Sequence, residues 1–340
     1  MRLATVRLGQ RAEIGALVEN DNTLIRLQAS EVARCGQPSS HLADMLSFLH
    51  GGAAAREAAE VAAQHALAQR PDDVLRPFDP ATLLAPVPVP ESIREFMNFE
   101  QHVINCSRKF GMPRWRARLD EWIERNFGRQ HTLAYKSSLP WYERPIYYKG
   151  NRYSVVGHGS DIVIPGYTRV FDYELEFGIF LNRRGCDIGE KNARDYIGGF
   201  VVFNDFSARD IQGREMGGRL GPSKGKDFDT GNAMGPVLVT TDEIPDPYAL
   251  TMTARINGEE VSRGNSGDMR FSFEEIIAYV SQSETLYPGE FFGSGTCSGG
   301  QGVGCGVEHG RFLRAGDVIE LEVEKIGILR NRIVAAAPRV

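Results

Sequence analysis

The segment RVFDYELEFGIFLN, residues 169–182, constrains the fold more than any other stretch of the chain. Its apolar residues predict a buried β-strand, yet Glu174 and Glu176 lie in its middle. Because residues i and i+2 of a strand point to the same face, the two carboxylates project side by side. Adjacent buried carboxylates repel each other and stay ionised only if a cation offsets them. The alternative is a solvent-facing sheet edge, where such a pair is common and carries no functional meaning.

A third carboxylate follows at Asp205, where the apolar run GGFVVFN gives way to a predicted helix. Ligands often gather at such a position. Two alternatives stay open, because Asp205 also suits a simple helix N-cap and Asp210 is a rival carboxylate. Oxygen-only ligands suit hard divalent ions such as Mg²⁺, Mn²⁺ or Ca²⁺. The sequence therefore predicts a divalent cation held by Glu174, Glu176 and Asp205.

Composition excludes several classes of protein. The 340 residues are 42% hydrophobic and 24% charged, and the net charge of −5 gives no basic surface for nucleic acid. No apolar run reaches the roughly 18 residues that a membrane span needs, and the N-terminus lacks the apolar core of a signal peptide. The cysteines are five, an odd number without CxxC spacing, which argues against a disulfide framework. We expect a soluble cytoplasmic protein with reduced thiols and with neither nucleic-acid nor membrane partners.

The first quarter of the chain differs in pattern from the rest. Residues 1–28 alternate like short strands, and the alanine-rich residues 53–70 favour a helix. The proline-rich residues 76–92 are predicted to be extended and connecting. We therefore expect a small N-terminal α/β domain, residues 1–85, followed by a larger domain, residues 86–340.

The larger domain is predicted to be mostly β with a few helices, which makes the whole chain α+β and mainly β. One helix is predicted over residues 271–283, where Ser272 and Glu275 form a capping box. Residues 106–145 are rich in arginine and tryptophan. They form either an exposed helix and loop with solvated charges, or a lid whose cations and aromatic rings help to hold an acidic substrate with an apolar tail.

Two glycine-rich segments have spacings that exclude nucleotide-binding motifs. In residues 219–236, Leu220 stands where a phosphate loop needs glycine, and Asp227 stands where it needs serine or threonine. In residues 293–304, Ser298 stands at the last glycine position of a GxGxxG motif. The glycines of this second segment instead predict a loop that lets backbone amides approach a ligand.

Six segments, taken together and in this order, resemble the fumarylacetoacetate hydrolase family over roughly residues 86–335: NFEQH, FDYELEFGIFL, NDFSARDIQ, LGPSKGKDFDT, GSGTCSGG and AGDVIELEVEKIGIL. The resemblance implies a mixed β-sandwich roll, a homodimer, and a Mg²⁺ or Mn²⁺ ion. The family's E-x-E pair falls on Glu174 and Glu176, and its strand-end aspartate falls on Asp205.

The resemblance also implies roles for seven further residues. They are catalytic for His102, the general base, for Lys226 and for Glu308, and substrate-binding for Tyr148, Arg209, Gln212 and Thr296. Two departures leave questions open. Glu95 stands where larger members carry an aspartate ligand, and whether it coordinates is undecided. Asn105 stands where smaller members carry a glutamate, so the carboxylate partner of His102 is Glu308 or another acid.

The substrates that the family suggests are β-diketo or 2-oxo acids, whose oxygens chelate a divalent ion. The first hypothesis is a metal-dependent hydrolase that cleaves a carbon–carbon bond in an acylpyruvate or a fumarylacetoacetate-like acid, in the catabolism of aromatic or related compounds. In this scheme His102 takes a proton from water, and Lys226 with the metal holds the resulting enolate. The second hypothesis is a 2-oxo acid lyase, either a decarboxylase or a hydratase/dehydratase, that uses the same site. The third is a non-catalytic binding protein on this fold.

Overall fold

The computed structural model describes residues 1–299 and 303–337, so residues 300–302 of the predicted glycine-rich loop and the last three of the larger domain lie outside the described residues. The described strands are β1 (Arg2–Leu8), β2 (Arg11–Val18), β3 (Thr23–Arg26), β4 (Leu75–Pro77), β5 (Ser92–Phe96), β6 (Tyr147–Lys149), β7 (Val155–Val156), β8 (Asp161–Ile164), β9 (Phe171–Asp172), β10 (Leu175–Leu181), β11 (Ile197–Asp205), β12 (Ser207–Ala208), β13 (Asn232–Val239), β14 (Thr251–Ile256), β15 (Glu259–Asn265), β16 (Glu290–Gly293), β17 (Val318–Val323) and β18 (Gly327–Ala335).

The α-helices connect the strands. They are α1 (Leu27–Cys35), α2 (Met45–Gln69), α3 (Glu100–Gly111), α4 (Arg114–Phe127), α5 (Leu133–Ser137), α6 (Leu139–Glu143), α7 (Glu190–Ala193), α8 (Arg209–Met216), α9 (Phe273–Val280) and α10 (Gly306–His309). The predicted capping box is confirmed, because the Glu275 amide donates to Ser272 Oγ and the Ser272 amide donates to the Glu275 carboxylate. The α+β, mainly β class predicted from the sequence is confirmed.

Most strands belong to two sheets. The larger sheet has the order β4-β3-β2-β1-β13-β11-β10-β16-β5-β6, and β7 also pairs with β13. The second sheet has the order β15-β14-β17-β18-β8, and β9 pairs separately with β12. Because Leu3 of β1 lies opposite Leu238 of β13, the N-terminal strands extend the larger sheet. The boundary proposed at residue 85 stays a prediction.

The core lies on both faces of the central strands β10 and β11, which are buried along their whole length. Residues alternate between two apolar clusters, as the period of a strand requires. Phe177 and Val202 pack in the cluster that contains Met252 of the second sheet. Phe180 and Phe203 pack in the other cluster, with side chains of α2. This double coverage explains why the strands are apolar almost without interruption.

The predicted strand through residues 169–182 is interrupted at Tyr173 and Glu174, between β9 and β10. The chain pairs with β12 through β9, as far as Asp172. Glu174 then forms an isolated β-bridge with Cys305. The Leu175 amide donates to the Gly304 carbonyl oxygen over 2.9 Å, which continues this pairing. The interruption brings the segment 304–305 against the two glutamates.

Residues 106–145 contain the second half of α3 and all of α4, α5 and α6. Their charges are only partly solvated, because the buried Arg108 donates to Asp120 over 3.0 Å and to Glu124 over 2.5 Å and so ties α3 to α4. Trp115 and Trp122 of α4 are exposed. The role of this segment as a lid stays a prediction. Throughout residues 1–299 and 303–337, no helix combines the length and the apolarity that a membrane crossing requires.

Candidate active site

The three predicted metal ligands meet at the ends of two paired strands. Glu174 immediately precedes β10, Glu176 is its second residue, and Asp205 is the last residue of β11, which pairs with β10. One carboxylate oxygen from each residue lies within 4.8 Å of the other two. All three side chains are buried. The geometry therefore matches an inward-facing acidic cluster and excludes the solvent-facing sheet edge.

Glu95 is the fourth carboxylate of this cluster. It lies on β5, which runs parallel to β16, and it stands opposite Gly293. A side chain at position 293 would collide with the Glu95 carboxylate, so the close approach requires glycine there. The Gly295 amide donates to Glu95 Oε1 over 2.9 Å. The sequence left open whether Glu95 is a further metal ligand. Its position fits that role, because Glu95 faces Glu176 inside the same cluster.

Two buried cations contact one side of the cluster. Lys226 Nζ donates to Glu174 Oε2 over 2.7 Å and to Asp205 Oδ2 over 2.6 Å. Arg209 Nη1 lies 2.6 Å from Glu174 Oε1. Burial by itself raises the pKa of Glu174, but Arg209 and Lys226 outweigh it and hold that pKa well below its usual value. Glu174 is therefore the carboxylate that stays ionised.

The other three carboxyl groups have raised pKa values, because the protein alone does not fully offset the charge of their ionised forms. Burial, with the charges of Glu174 and Asp205, raises the pKa of Glu176 to about 8, although the contact with Glu95 opposes the shift. Burial and the neighbouring Glu176 raise the pKa of Glu95 well above its usual value. Burial and Glu174 raise the pKa of Asp205 to about 7, although Lys226 opposes the shift.

Three oxygens of the cluster lack a hydrogen-bond donor in the described part of the chain. They are Glu95 Oε2, Glu176 Oε2 and Asp205 Oδ1, and all three are buried. A buried acceptor without a partner is costly, and a hard divalent cation takes several carboxylate oxygens. The donor set therefore fits a divalent cation, which these residues would hold together with Glu174.

The four predicted substrate-binding residues surround the cluster. Tyr148 Oη donates to Asp205 Oδ2 over 2.6 Å, and Thr296 Oγ1 donates to Glu176 Oε1 over 3.3 Å. Arg209 Nη1 donates to Gln212 Oε1 over 3.0 Å, which fixes that side chain beside the guanidinium. The Arg209 Nη2 group is buried and has no acceptor within the described residues. Their roles toward a substrate stay predictions.

His102 lies in a second group beside the carboxylates. Its Nδ1 is 3.3 Å from Glu308 Oε1. Asn105 Nδ2 donates to the same oxygen over 2.9 Å, and Ser298 Oγ donates to Oε2 over 2.6 Å. Burial raises the pKa of Glu308, but His102 and these donors lower it to about 2. Burial lowers the pKa of His102, but Cys106, Cys305 and Glu308 together raise it well above its usual value.

The partner of His102 is therefore Glu308 by position, and Asn105 supports that glutamate. Cys305 connects the two groups, since its backbone pairs with Glu174 while its Sγ lies 4.0 Å from His102 Nδ1. The ten residues predicted from the sequence thus lie in one region, in which Tyr148, Gln212 and Glu308 are half-buried and the other seven are buried.

Asp172 is a site residue that the sequence reasoning missed. It is completely buried and accepts from Arg209 Nε over 2.8 Å. It also accepts from the amides of Gly306 and Val307, over 2.7 and 3.0 Å, at the start of the helix that carries Glu308. Its position two residues before Glu174 was the available signal, because residues i and i+2 share a face in a strand.

Glu215 is a second missed residue, and it acts on the loop that carries Lys226. Its carboxylate accepts from the amides of Ser223, Lys224 and Gly225 over 2.8–3.0 Å. These contacts lower its pKa, although burial opposes the shift. Glu215 thereby holds the turn from which Lys226 reaches the carboxylates.

Comparisons with known proteins agree with this arrangement. Residues 92–334 match the model of the fumarylacetoacetate (FAA) hydrolase C-terminal domain. The chain is 36% identical over 199 residues to the human mitochondrial oxaloacetate tautomerase FAHD2A, a match that covers 58% of this chain and 62% of that protein. It is 35% identical over 214 residues to the oxaloacetate tautomerase YisK of Bacillus subtilis (strain 168), covering 62% and 68%. The matched region thus spans about three fifths of the length of the human relative.

Solved structures confirm the predicted fold. A putative HpcE protein from Mycobacterium smegmatis superposes with a TM-score of 0.70 at 23% identity, covering 99% of this chain and 100% of that one. The maleylpyruvate hydrolase from Sphingobium sp. SYK-6, crystallised with manganese(II) and pyruvate, superposes with a TM-score of 0.68 at 19% identity and the same coverage. At these identities the likeness concerns the fold.

Proposed function

Since the chain belongs to the fumarylacetoacetate hydrolase family, we propose that it is a divalent-metal-dependent enzyme that interconverts the keto and enol forms of a 2-oxo dicarboxylic acid such as oxaloacetate. Two relatives, at 36% and 35% identity, are oxaloacetate tautomerases by name. One observation carries the proposal: buried carboxylate oxygens without donors adjoin an oriented histidine–glutamate pair. Keto–enol exchange needs these two elements, a place for the enolate oxygen and a group that moves a proton to or from carbon.

A divalent cation, when bound by the carboxylates, supplies a Lewis acid that polarises the 2-oxo group. The chain's own residues have separate tasks. His102 gives a proton to the substrate carbon next to the carbonyl, or removes one from it. Glu308 orients the ring and stabilises its charged form, since a buried imidazolium needs a counter-charge.

Substrate orientation falls to the groups on the cationic side. Arg209 and Gln212 are coupled by a hydrogen bond and offer donors to a carboxylate. Lys226 remains charged because burial, which lowers its pKa, is outweighed by Asp205 and Glu174, so that its pKa is raised. A fixed cation at this point stabilises the negative charge of an enolate without reorganisation.

Carbon–carbon hydrolysis of an acylpyruvate or fumarylacetoacetate-like acid is the second candidate. A cavity of about 760 Å³ is lined by Gln101, Asn105 and Glu308 among others. It opens beside the His102–Glu308 pair and leaves room for a longer substrate. In that reaction His102 takes a proton from water instead of exchanging one with carbon. A 2-oxo acid lyase uses the same residues and releases carbon dioxide or a dehydrated product. The buried, charged cluster argues against a purely binding role.

The test follows the ultraviolet absorbance of enol oxaloacetate in the presence of Mg²⁺ or Mn²⁺. We expect the protein to accelerate the decay above the rate of metal and buffer alone. His102→Ala should remove most of the acceleration, whereas His50→Ala, an exposed histidine of α2, should retain it. Two carboxylic fragments from an acylpyruvate would instead favour the hydrolase, and carbon dioxide release from a 2-oxo acid would favour the lyase. Turnover that His102→Ala leaves intact would refute the proposed proton carrier.

Cytoplasmic location and homodimer formation stay predictions.

A further inference from the structure

Two cysteines lie against the histidine that the proposed function uses. His102 Nδ1 is 3.3 Å from Glu308 Oε1 and 4.0 Å from Cys305 Sγ, and Cys106 Sγ lies 3.9 Å from Nδ1 and 3.4 Å from Nε2. One ligand atom from each of His102, Cys305 and Glu308 lies within 4.8 Å of the other two. We call these four residues the thiol–imidazole cluster. The proposed proton transfer assigns no task to either thiol.

The donor set of this cluster differs from that of the carboxylates. Thiolate, imidazole and carboxylate are the ligands of tetrahedral zinc sites, with Zn–S distances of about 2.3 Å and Zn–N distances of about 2.1 Å. Ligand atoms in such a tetrahedron stand roughly 3.3–3.8 Å apart. The separations from His102 Nδ1 exceed this range by a few tenths of an ångström at most. His102, Cys305 and Glu308 are therefore close to ligand spacing, and Cys106 is the candidate fourth ligand on the same helix as His102.

The backbone presents these side chains from two helix ends. His102 and Cys106 are four residues apart on α3 and share a face. Cys305 immediately precedes α10, whose third residue is Glu308. Asp172 fixes the first turn of α10 through the Gly306 amide. The cluster is therefore built on regular elements and not on an unanchored loop.

One ligand of the cluster, Glu308, borders a cavity. Asn105 and Glu308 line the cavity of about 760 Å³ beside α3. Glu308 is the cluster member that lines this cavity, while Cys106 is half-buried and Cys305 is buried. Each thiol that coordinates a metal releases its proton to solvent.

We propose that His102, Cys106, Cys305 and Glu308 form a second cation site, selective for thiophilic ions such as Zn²⁺ and distinct from the all-oxygen site at Glu174, Glu176 and Asp205. Hard ions such as Mg²⁺ prefer the oxygen site, because thiolate ligands select softer metals. A cation on Nδ1 leaves the neutral ring with its proton on Nε2 and with no nitrogen free to accept another, so His102 can no longer act as a base. This inhibitory consequence rests on the proposed function, whereas the binding site does not.

The binding test uses Co²⁺ as a spectroscopic substitute for Zn²⁺, added after the oxygen site has been saturated with Mg²⁺. We expect the charge-transfer band of a cobalt–thiolate bond, and we expect Zn²⁺ to abolish it at one equivalent. Cys106→Ser and Cys305→Ser should each lower the affinity for Co²⁺ at least about tenfold, because each removes a ligand. Cys186→Ser, which removes an exposed thiol, is the matched control and should leave the titration unchanged.

The outcomes separate the two proposals. Absence of the thiolate band, or a band that persists when both Cys106 and Cys305 are serine, would overturn the second site. Zn²⁺ binding that requires these cysteines, in a protein without turnover of any 2-oxo acid, would support the second site and refute the proposed function. Catalysis by the Mg²⁺-loaded protein that micromolar Zn²⁺ inhibits in the wild type, but not in Cys106→Ser, would support both.

Discussion

Replacement of Asp172 by asparagine removes the charge that connects the carboxylate cluster to the helix of Glu308. Asp172 is 0% exposed and its partner Arg209 is 3% exposed, with 2.8 Å between Oδ2 and Nε. Asparagine has nearly the same shape as aspartate. It leaves the buried Arg209 guanidinium with one negative partner fewer. Removal of one member of a buried ion pair typically costs about 3–5 kcal/mol.

The expected change in melting temperature follows from the size of the chain. An unfolding entropy of about 2.1 cal/mol/K per residue gives roughly 0.7 kcal/mol/K for 340 residues. A loss of about 3–5 kcal/mol therefore lowers the Tm by roughly 4–7 °C. We also expect kcat to fall at least about tenfold, since the first turn of α10 and hence Glu308 lose an anchor. Differential scanning calorimetry and the oxaloacetate assay measure the two effects.

A matched control exists on the surface. Asp161 and Arg332 form a pair at the same distance of 2.8 Å, but their side chains are 45% and 62% exposed. Asp161→Asn should leave the Tm almost unchanged, because solvent screens such a pair. If Asp172→Asn lowers the Tm no more than Asp161→Asn does, the buried Asp172–Arg209 pair contributes no more to stability than an exposed pair. That result would refute the prediction.

Three further predictions concern the metal, the lysine loop and a helix cap. Glu176→Gln should lower Mn²⁺ affinity at least about tenfold in calorimetry, whereas Glu322→Gln, at a half-buried glutamate of β17, should not; equal affinities would remove Glu176 from the ligand set. Glu215→Ala should release the turn before Lys226 and lower kcat at least about tenfold with little change in Mn²⁺ affinity, and unchanged kcat would show that the turn holds without it. Ser272→Ala should cost about 0.5–2 kcal/mol and hence lower the Tm by roughly 1–3 °C, so an unchanged Tm would contradict the capping-box assignment.

The sequence alone was sufficient for features that depend on local geometry. The two-residue period of a strand put Glu174 and Glu176 on one face, and the end of an apolar run located Asp205. The three-residue spacing of Ser272 and Glu275 predicted the start of a helix. Each of these signals lies within one element, where backbone periodicity decides which side chains are neighbours.

Only the tertiary structure decided the contacts between distant segments. Glu95 joins the carboxylates because β5 pairs in parallel with β16. This pairing brings Glu95 Oε1 to the Gly295 amide, 200 residues away in the sequence. Cys305 reaches His102 across 203 positions, and Asp172 reaches the Gly306 amide across 134. The pairing and register of strands are set by packing of the whole core, and no periodicity within one segment reports them. The sequence therefore indicated which side chains face inward, while the folded sheet determined which of them meet.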